Sequence, residues 1–94
     1  MQMIFIYDID LTDGAKSQRR LNRMKKIGRK YLTHIQKSVF EGEITAGKIA
    51  RMEKEVKDVI DKEKDSVIFY IIPDGVKINR RVLTNVKDPL DNVL

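Results

Sequence analysis

Two apolar runs rich in β-branched and aromatic residues, MIFIYDI at 3–9 and VIFYII at 67–72, enclose two segments with helical apolar spacing. Between those segments lies LTHIQKSVF at 32–40, a looser alternation followed by a turn residue at Gly42. The order strand–helix–strand–strand–helix–strand predicts an α+β fold of the ferredoxin-like type, β-α-β-β-α-β, with an extra C-terminal strand. Such a fold has one four-stranded antiparallel sheet with both helices on one face and strand order 4-1-3-2.

Each element has its own signal. Met3–Ile9 is nearly continuous in apolar residues and reads as a strand buried on both faces in mid-sheet. Thr12, Asp13 and Gly14 supply a turn. The first helix is expected over about 15–30, where Leu21, Met24, Ile27 and Tyr31 fall within an arc of about 120° on a helical wheel. Residues 32–44 give two short strands, or one strand bent near Ser38–Gly42. A second helix is expected over about 45–62, with Thr45 as N-cap and Ile49, Met52, Val56, Val59 and Ile60 as its apolar seam. Pro73–Asp74–Gly75 stops the strand at 67–72, and Val76–Val86 is expected to form one further strand. Residues 1–86 thus read as a single domain and 87–94 as a loose tail.

The apolar strand at 67–72 would occupy a sheet edge, which natural proteins blunt or cover. A second copy of the chain is the simplest cover, so a homodimer is expected. The 94 residues leave room for one core only. No apolar run approaches the roughly 20 residues that cross a bilayer, and MQMIFIYDID lacks the basic start of a signal peptide. No membrane association is expected. The absence of cysteine excludes disulfides and thiolate metal sites and makes the cytoplasm the default compartment.

Nineteen Lys and Arg against fourteen Asp and Glu give +5, and the excess is localised. Residues 16–30 carry eight basic side chains and no acidic one, and residues 75–87 carry four with no acid. Lys16, Arg19, Arg23, Lys26 and Lys30 fall on an arc of about 80° beside the apolar face, with Arg20 at the border. A stripe of this kind suits a phosphate backbone, with Arg80 and Arg81 in support. From charge alone it is equally a solvated face.

Sites for other chemistries are missing from the sequence. It has one histidine, His34, which excludes a multi-histidine metal centre, and its place in a predicted strand favours a structural or surface role. No glycine-rich phosphate loop of the NAD or ATP type occurs. Carboxylates remain. Asp8, Asp10 and Asp13 crowd the end of the first strand, an oxygen-donor set suited to Mg²⁺ or Mn²⁺. Asp10 and Asp13 read as turn residues. Asp8 interrupts an apolar run at a place expected to be partly buried, where a carboxylate needs a cationic partner. One such carboxylate per chain is a poor metal site; two related by a dimer axis make a workable one.

Taken together, IYDI (6–9), RRLNRMKK (19–26), IQKSVFEGEI (35–44) and DSVIFYII (65–72) resemble the CRISPR-associated Cas-two proteins, in order over about residues 3–72. The resemblance implies a ferredoxin-like homodimer in which a C-terminal strand of one protomer extends the sheet of the other. It implies Mg²⁺-dependent endonuclease activity on single-stranded RNA or double-stranded DNA, with Asp8 of both protomers holding the metal. Tyr7 precedes that aspartate and is counted with the nucleic-acid-binding residues, Arg19, Arg20 and Arg23 match the basic helix, and Ser38 and Phe40 match the SVF turn. It also implies a place in spacer acquisition, where the dimer bridges the Cas-one integrase and supports the DNA being inserted. The stretch GRKYLTHIQ (28–36) is longer than the usual form, and His34 stands where an arginine often does. Three readings stay open at this level: a metal-dependent phosphodiesterase, a non-catalytic DNA-binding adaptor between integrase dimers, and a toxin-type ribonuclease.

Overall fold

The computed structural model describes residues 1–92. Its elements run β1 (Gln2–Asp8), α1 (Ala15–Tyr31), β2 (Thr33–Gln36), β3 (Val39–Glu43), α2 (Ala46–Val59) and β4 (Ser66–Ile72). They form one sheet of order β2-β3-β1-β4, and the pairings β1–β3, β1–β4 and β2–β3 are antiparallel. This is the expected ferredoxin-like α+β topology, with β4 on an edge. Within β2–β3 the register shifts between His34 and Gln36.

The register divides the sheet into two unlike faces. Phe5 lies opposite both Phe40 and Phe69, so these three rings share the helix-covered side. They pack at centroid distances of 5.6 Å, the Phe5–Phe69 pair edge to face. Met3, Tyr7, Met24, Ile27, Met52 and Val56 complete that core. On the other side Ile4 and Ile6 stay half-exposed, and Ile68 and Tyr70 keep 44% and 51% of their surface open. The expectation that β1 is buried on both faces therefore fails. Its apolar run supplies a closed layer on one side and an open apolar layer on the other.

Helix α1 sits very low on the sheet, and Gly28 is the reason. A Cβ built at Gly28 would lie 2.6 Å from the Phe40 ring, inside contact distance. Phe40 has no exposed surface, and the His34 ring stacks on it 4.2 Å away at 8°. Helix α2 starts as expected: Thr45 Oγ1 accepts from the Lys48 N–H at 3.3 Å. It ends three residues early, because the Asp61 carboxylate takes the Glu63 N–H at 2.9 Å and favours a turn.

Two expectations for the C-terminal part are corrected. Val76–Val86 forms no strand; it runs as irregular chain. It is tied down by Arg80, which pairs with Asp88 and donates to Glu41 at 3.4 Å. Within the single chain that segment pairs with neither edge strand, β2 or β4. Pro89–Asn92, part of the expected loose tail, make a 3₁₀ turn beside β2, and residues 93–94 lie outside the described residues. Among the described residues no helix is long and apolar enough to cross a membrane.

Gly28→Ala places a methyl group against a ring that cannot retreat. It should destabilise the fold by about 1–3 kcal/mol despite the better helix propensity of alanine. A urea melt shows this as a lower midpoint at unchanged slope; an unchanged midpoint would mean that α1 slides freely over Phe40.

Candidate active site and nucleic-acid interface

Asp8 is the last residue of β1, opposite Ser66 of β4, and it is exposed. The expected partial burial is not observed. Tyr7 takes the core side of the strand, and alternation turns Asp8 away from it. Exposed, Asp8 carries no desolvation cost, and it lies beside a cleft. That cleft, of about 350 Å³, lies between the end of β1, the side of α1 and the β2–β3 turn. Asp8, Lys25, His34, Lys37 and Ser38 contribute its polar lining, and Ile9, Leu11 and Leu21 its apolar wall.

Tyr7 is buried, so it makes no surface for nucleic acid as the sequence reading expected. Its hydroxyl donates to the Lys37 carbonyl at 3.4 Å, and its N–H donates to the Ser38 carbonyl at 3.2 Å. Both bonds pin the β2–β3 turn to the end of β1. Burial pushes the Tyr7 hydroxyl pKa up, against a smaller opposing influence of Arg29. His34 Nε2 lies 3.1 Å from the same Lys37 carbonyl. A carbonyl oxygen only accepts, so Nε2 carries the hydrogen. Ser38 thus belongs to the turn as expected, while Phe40 belongs to the core.

Arg20 also departs from its expected role. It donates through Nε to Asp65 at 2.9 Å and through a terminal nitrogen to the Asp10 carbonyl at 3.2 Å. Asp13 stands 3.7 Å from it and is held by Lys64 at 2.7 Å. The Asp65 side chain has no exposed surface. Burial works to raise its carboxyl, and the Arg20 guanidinium with the N–H groups of Asp61 and Asp10 outweighs that, leaving it below the usual range. Asp10 accepts from the Thr12 N–H at 2.8 Å and is lowered by that bond; Asp13 is lowered by Lys64. Asp10 and Asp13 are turn residues, as expected. Arg20 is committed to a structural network, and Arg80 is likewise committed to Glu41 and Asp88.

What survives of the basic stripe is exposed on α1. Lys16, Arg19, Arg23 and Lys26 are open, and Arg19 touches only the Ala15 carbonyl, at 3.5 Å. Lys30 is exposed but pairs with Glu55 at 2.5 Å. Arg81 is exposed on the irregular segment, far along the chain from the stripe. Lys25 and Lys37 were not among the residues expected to bind nucleic acid. Lys25 falls on the other edge of the apolar arc from the stripe, next to Leu21, which is the one signal that separates it. For Lys37 no local signal exists; it is placed by the turn that Tyr7 holds.

Among the described residues no three His, Asp or Glu side chains converge on a common point. Asp8 alone presents an exposed carboxylate at the cleft. Mg²⁺ is held by one or two carboxylates and keeps several waters, so this donor set fits the ion when two copies pool their Asp8 side chains.

Fold and surface together define a small ferredoxin-like α+β protein with an exposed basic stripe on α1 and a carboxylate, Asp8, lining a cleft that also holds two lysines. The family described as CRISPR associated protein Cas2 matches residues 1–80, and the chain belongs to that family. It is 51% identical to the CRISPR-associated endoribonuclease Cas2 2 of Moorella thermoacetica, over 98% of this chain and all of that one. A CRISPR-associated endoribonuclease Cas2 of Dictyoglomus turgidum is 38% identical over the full length of both chains. The crystal structure of Streptococcus pyogenes Cas2 at pH 6.5 superposes with a TM-score of 0.70 at 25% identity, covering 85% of this chain and 100% of that one.

Arg20→Gln removes the cation from Asp65. The variant should melt several degrees lower at neutral pH, and the deficit should shrink as pH falls below about 4. The sign follows from Asp65: its depressed pKa gives stability above its unfolded value, which is lost as pH falls through the folded one. Equal melting at neutral pH would show the network to be inert.

Tyr7→Phe removes one hydrogen bond from the turn and should cost about 1 kcal/mol of stability. Because the ring is buried and lies away from the exposed α1 stripe, affinity for duplex should not change. An oligonucleotide titration beside a thermal melt separates the two effects.

Proposed function

We propose that the chain is a metal-dependent endonuclease that hydrolyses phosphodiester bonds of nucleic acid, acting in the cytoplasm as a homodimer. The observation that carries the reading is Asp8, an exposed carboxylate lining a cleft that also holds Lys25 and Lys37. The names of the Moorella and Dictyoglomus relatives support the same class of chemistry. The open apolar face of Ile4, Ile6, Ile68 and Tyr70, with the free edge of β4, supports a second copy as its cover.

In this reading the Asp8 carboxylates of the two protomers would together hold one shared Mg²⁺ or Mn²⁺. When bound, the ion neutralises phosphate charge and lowers the pKa of an attacking water. The protein's own contribution is placement. The Tyr7-pinned turn holds the cleft beside Asp8, and the α1 stripe of Lys16, Arg19, Arg23 and Lys26 holds the strand by its phosphates.

A second reading rests on the position of that stripe, on the helix and not within the Asp8 cleft. It makes the dimer a DNA-binding adaptor that works with the Cas-one integrase in spacer acquisition. Family membership supports that role, and it needs no hydrolysis.

Asp8→Asn separates the two. It keeps the side-chain size and removes the charge that holds the cation. Mg²⁺-dependent cleavage of labelled single-stranded RNA and duplex DNA should fall to the level seen with chelator. Sedimentation should still show a two-chain species at low micromolar concentration. Wild-type cleavage by the variant would overturn the nuclease reading and leave the adaptor alone.

A further inference from the structure

The lining of the cleft beside Asp8 mixes two chemistries that together suit one kind of ligand. Ile9, Leu11 and Leu21 supply its apolar part, and Leu11 keeps 56% of its surface exposed. Lys25, one turn beyond Leu21 on α1, and Lys37 of the β2–β3 turn supply its cations. Among the described residues neither lysine pairs with a carboxylate, whereas Arg20, Lys30, Lys64 and Arg80 all do. The cleft thus joins an uncovered apolar surface to two unneutralised cations.

We propose that this cleft takes one unpaired nucleotide of the substrate strand, its base against Leu11 and Leu21 and its phosphate held by Lys25 and Lys37. The proposal rests on the nuclease reading for its purpose, since it sets the phosphodiester next to Asp8. Size supports a single nucleotide. About 350 Å³ lies at the lower end of small-molecule sites, and a duplex cannot enter a space of that size. Apolar side chains serve as walls for a base taken out of its stack, as in enzymes that act on flipped bases.

The site is also held ready. The Lys37 carbonyl accepts from Tyr7 at 3.4 Å and lies 3.1 Å from His34 Nε2, and the Ser38 carbonyl accepts from the Tyr7 N–H at 3.2 Å. His34 in turn lies flat on the buried Phe40 ring. The turn that carries Lys37 is therefore anchored on three sides, so little ordering is left for the ligand to pay for. A duplex would instead engage the α1 stripe, which lies on the opposite edge of the helix from Lys25.

The test measures binding in EDTA, where no hydrolysis occurs. Fluorescence anisotropy follows wild type, Lys25→Ala/Lys37→Ala and Leu11→Ser against a labelled 12-nucleotide single strand and against the same sequence as duplex. For the single strand the double lysine variant should bind more weakly and lower the slope of log K against log salt by about 1.4. Leu11→Ser should weaken single-strand binding at unchanged salt slope. Duplex binding should change little in either variant.

Unchanged single-strand affinity in both variants, or equal losses on duplex and single strand, would overturn the proposal. Failure of the nuclease reading looks different: Asp8→Asn would then cleave like wild type, while the lysine effect on single-strand binding in EDTA stood.

Discussion

The seating of α1 on the Phe40 ring, made possible by Gly28, is the contact on which the rest of the structure depends. A helix normally stands off a sheet by the thickness of its side chains. Here one turn of helix has no side chain to interpose, because a Cβ at Gly28 would meet the ring at 2.6 Å. The close approach brings Met24 and Ile27 into the core. It also sets the roll of α1, and the roll decides which of its eight basic residues look where. Arg23, Lys26 and Lys30 turn towards α2, Lys25 towards the end of β1, and Arg20 towards Asp65.

The end of β1 is where these consequences meet. On one side of it Arg20 neutralises Asp65 and ties the loops after β1 and α2 together through Asp10 and Asp13. On the other side Tyr7 fastens the β2–β3 turn. Asp8 stands between a structural ion cluster that consumes its cations and a cleft that leaves them free. That separation matters chemically. A carboxylate beside the Arg20 network would be neutralised in place, whereas Asp8 remains available to an external cation.

Strand and helix positions were legible from local pattern because each is set by burial on one face. The 3.6-residue spacing of Leu21, Met24, Ile27 and Tyr31 marks α1 whatever the rest of the chain does. Thr45 marks the start of α2 through a bond three residues long. The side chains whose roles were misread are held by partners that the fold brings to them. Tyr7 reads as a nucleic-acid contact until it is found buried and hydrogen-bonded to a turn 30 residues away. Arg80 reads as a phosphate contact until Glu41 and Asp88 are placed beside it. Arg20 is the intermediate case: its place at the border of the apolar arc already hinted that it turns inward.

The sequence by itself determined the element order, the antiparallel topology, the basic character of α1, the turn roles of Asp10 and Asp13 and the family. All of these follow from periodicity, composition or contiguous motifs. Only the tertiary structure decided that Asp8 is exposed, that Arg20 and Arg80 are spent on ion pairs, that Val76–Val86 is no strand, and that Lys25 and Lys37 share a cleft. The fates of Arg20 and Arg80 depend on which charges meet across 8 to 45 residues of chain. A carboxylate or guanidinium carries no local mark of the partner that will neutralise it, so that choice is made when the sheet and helices close on one another.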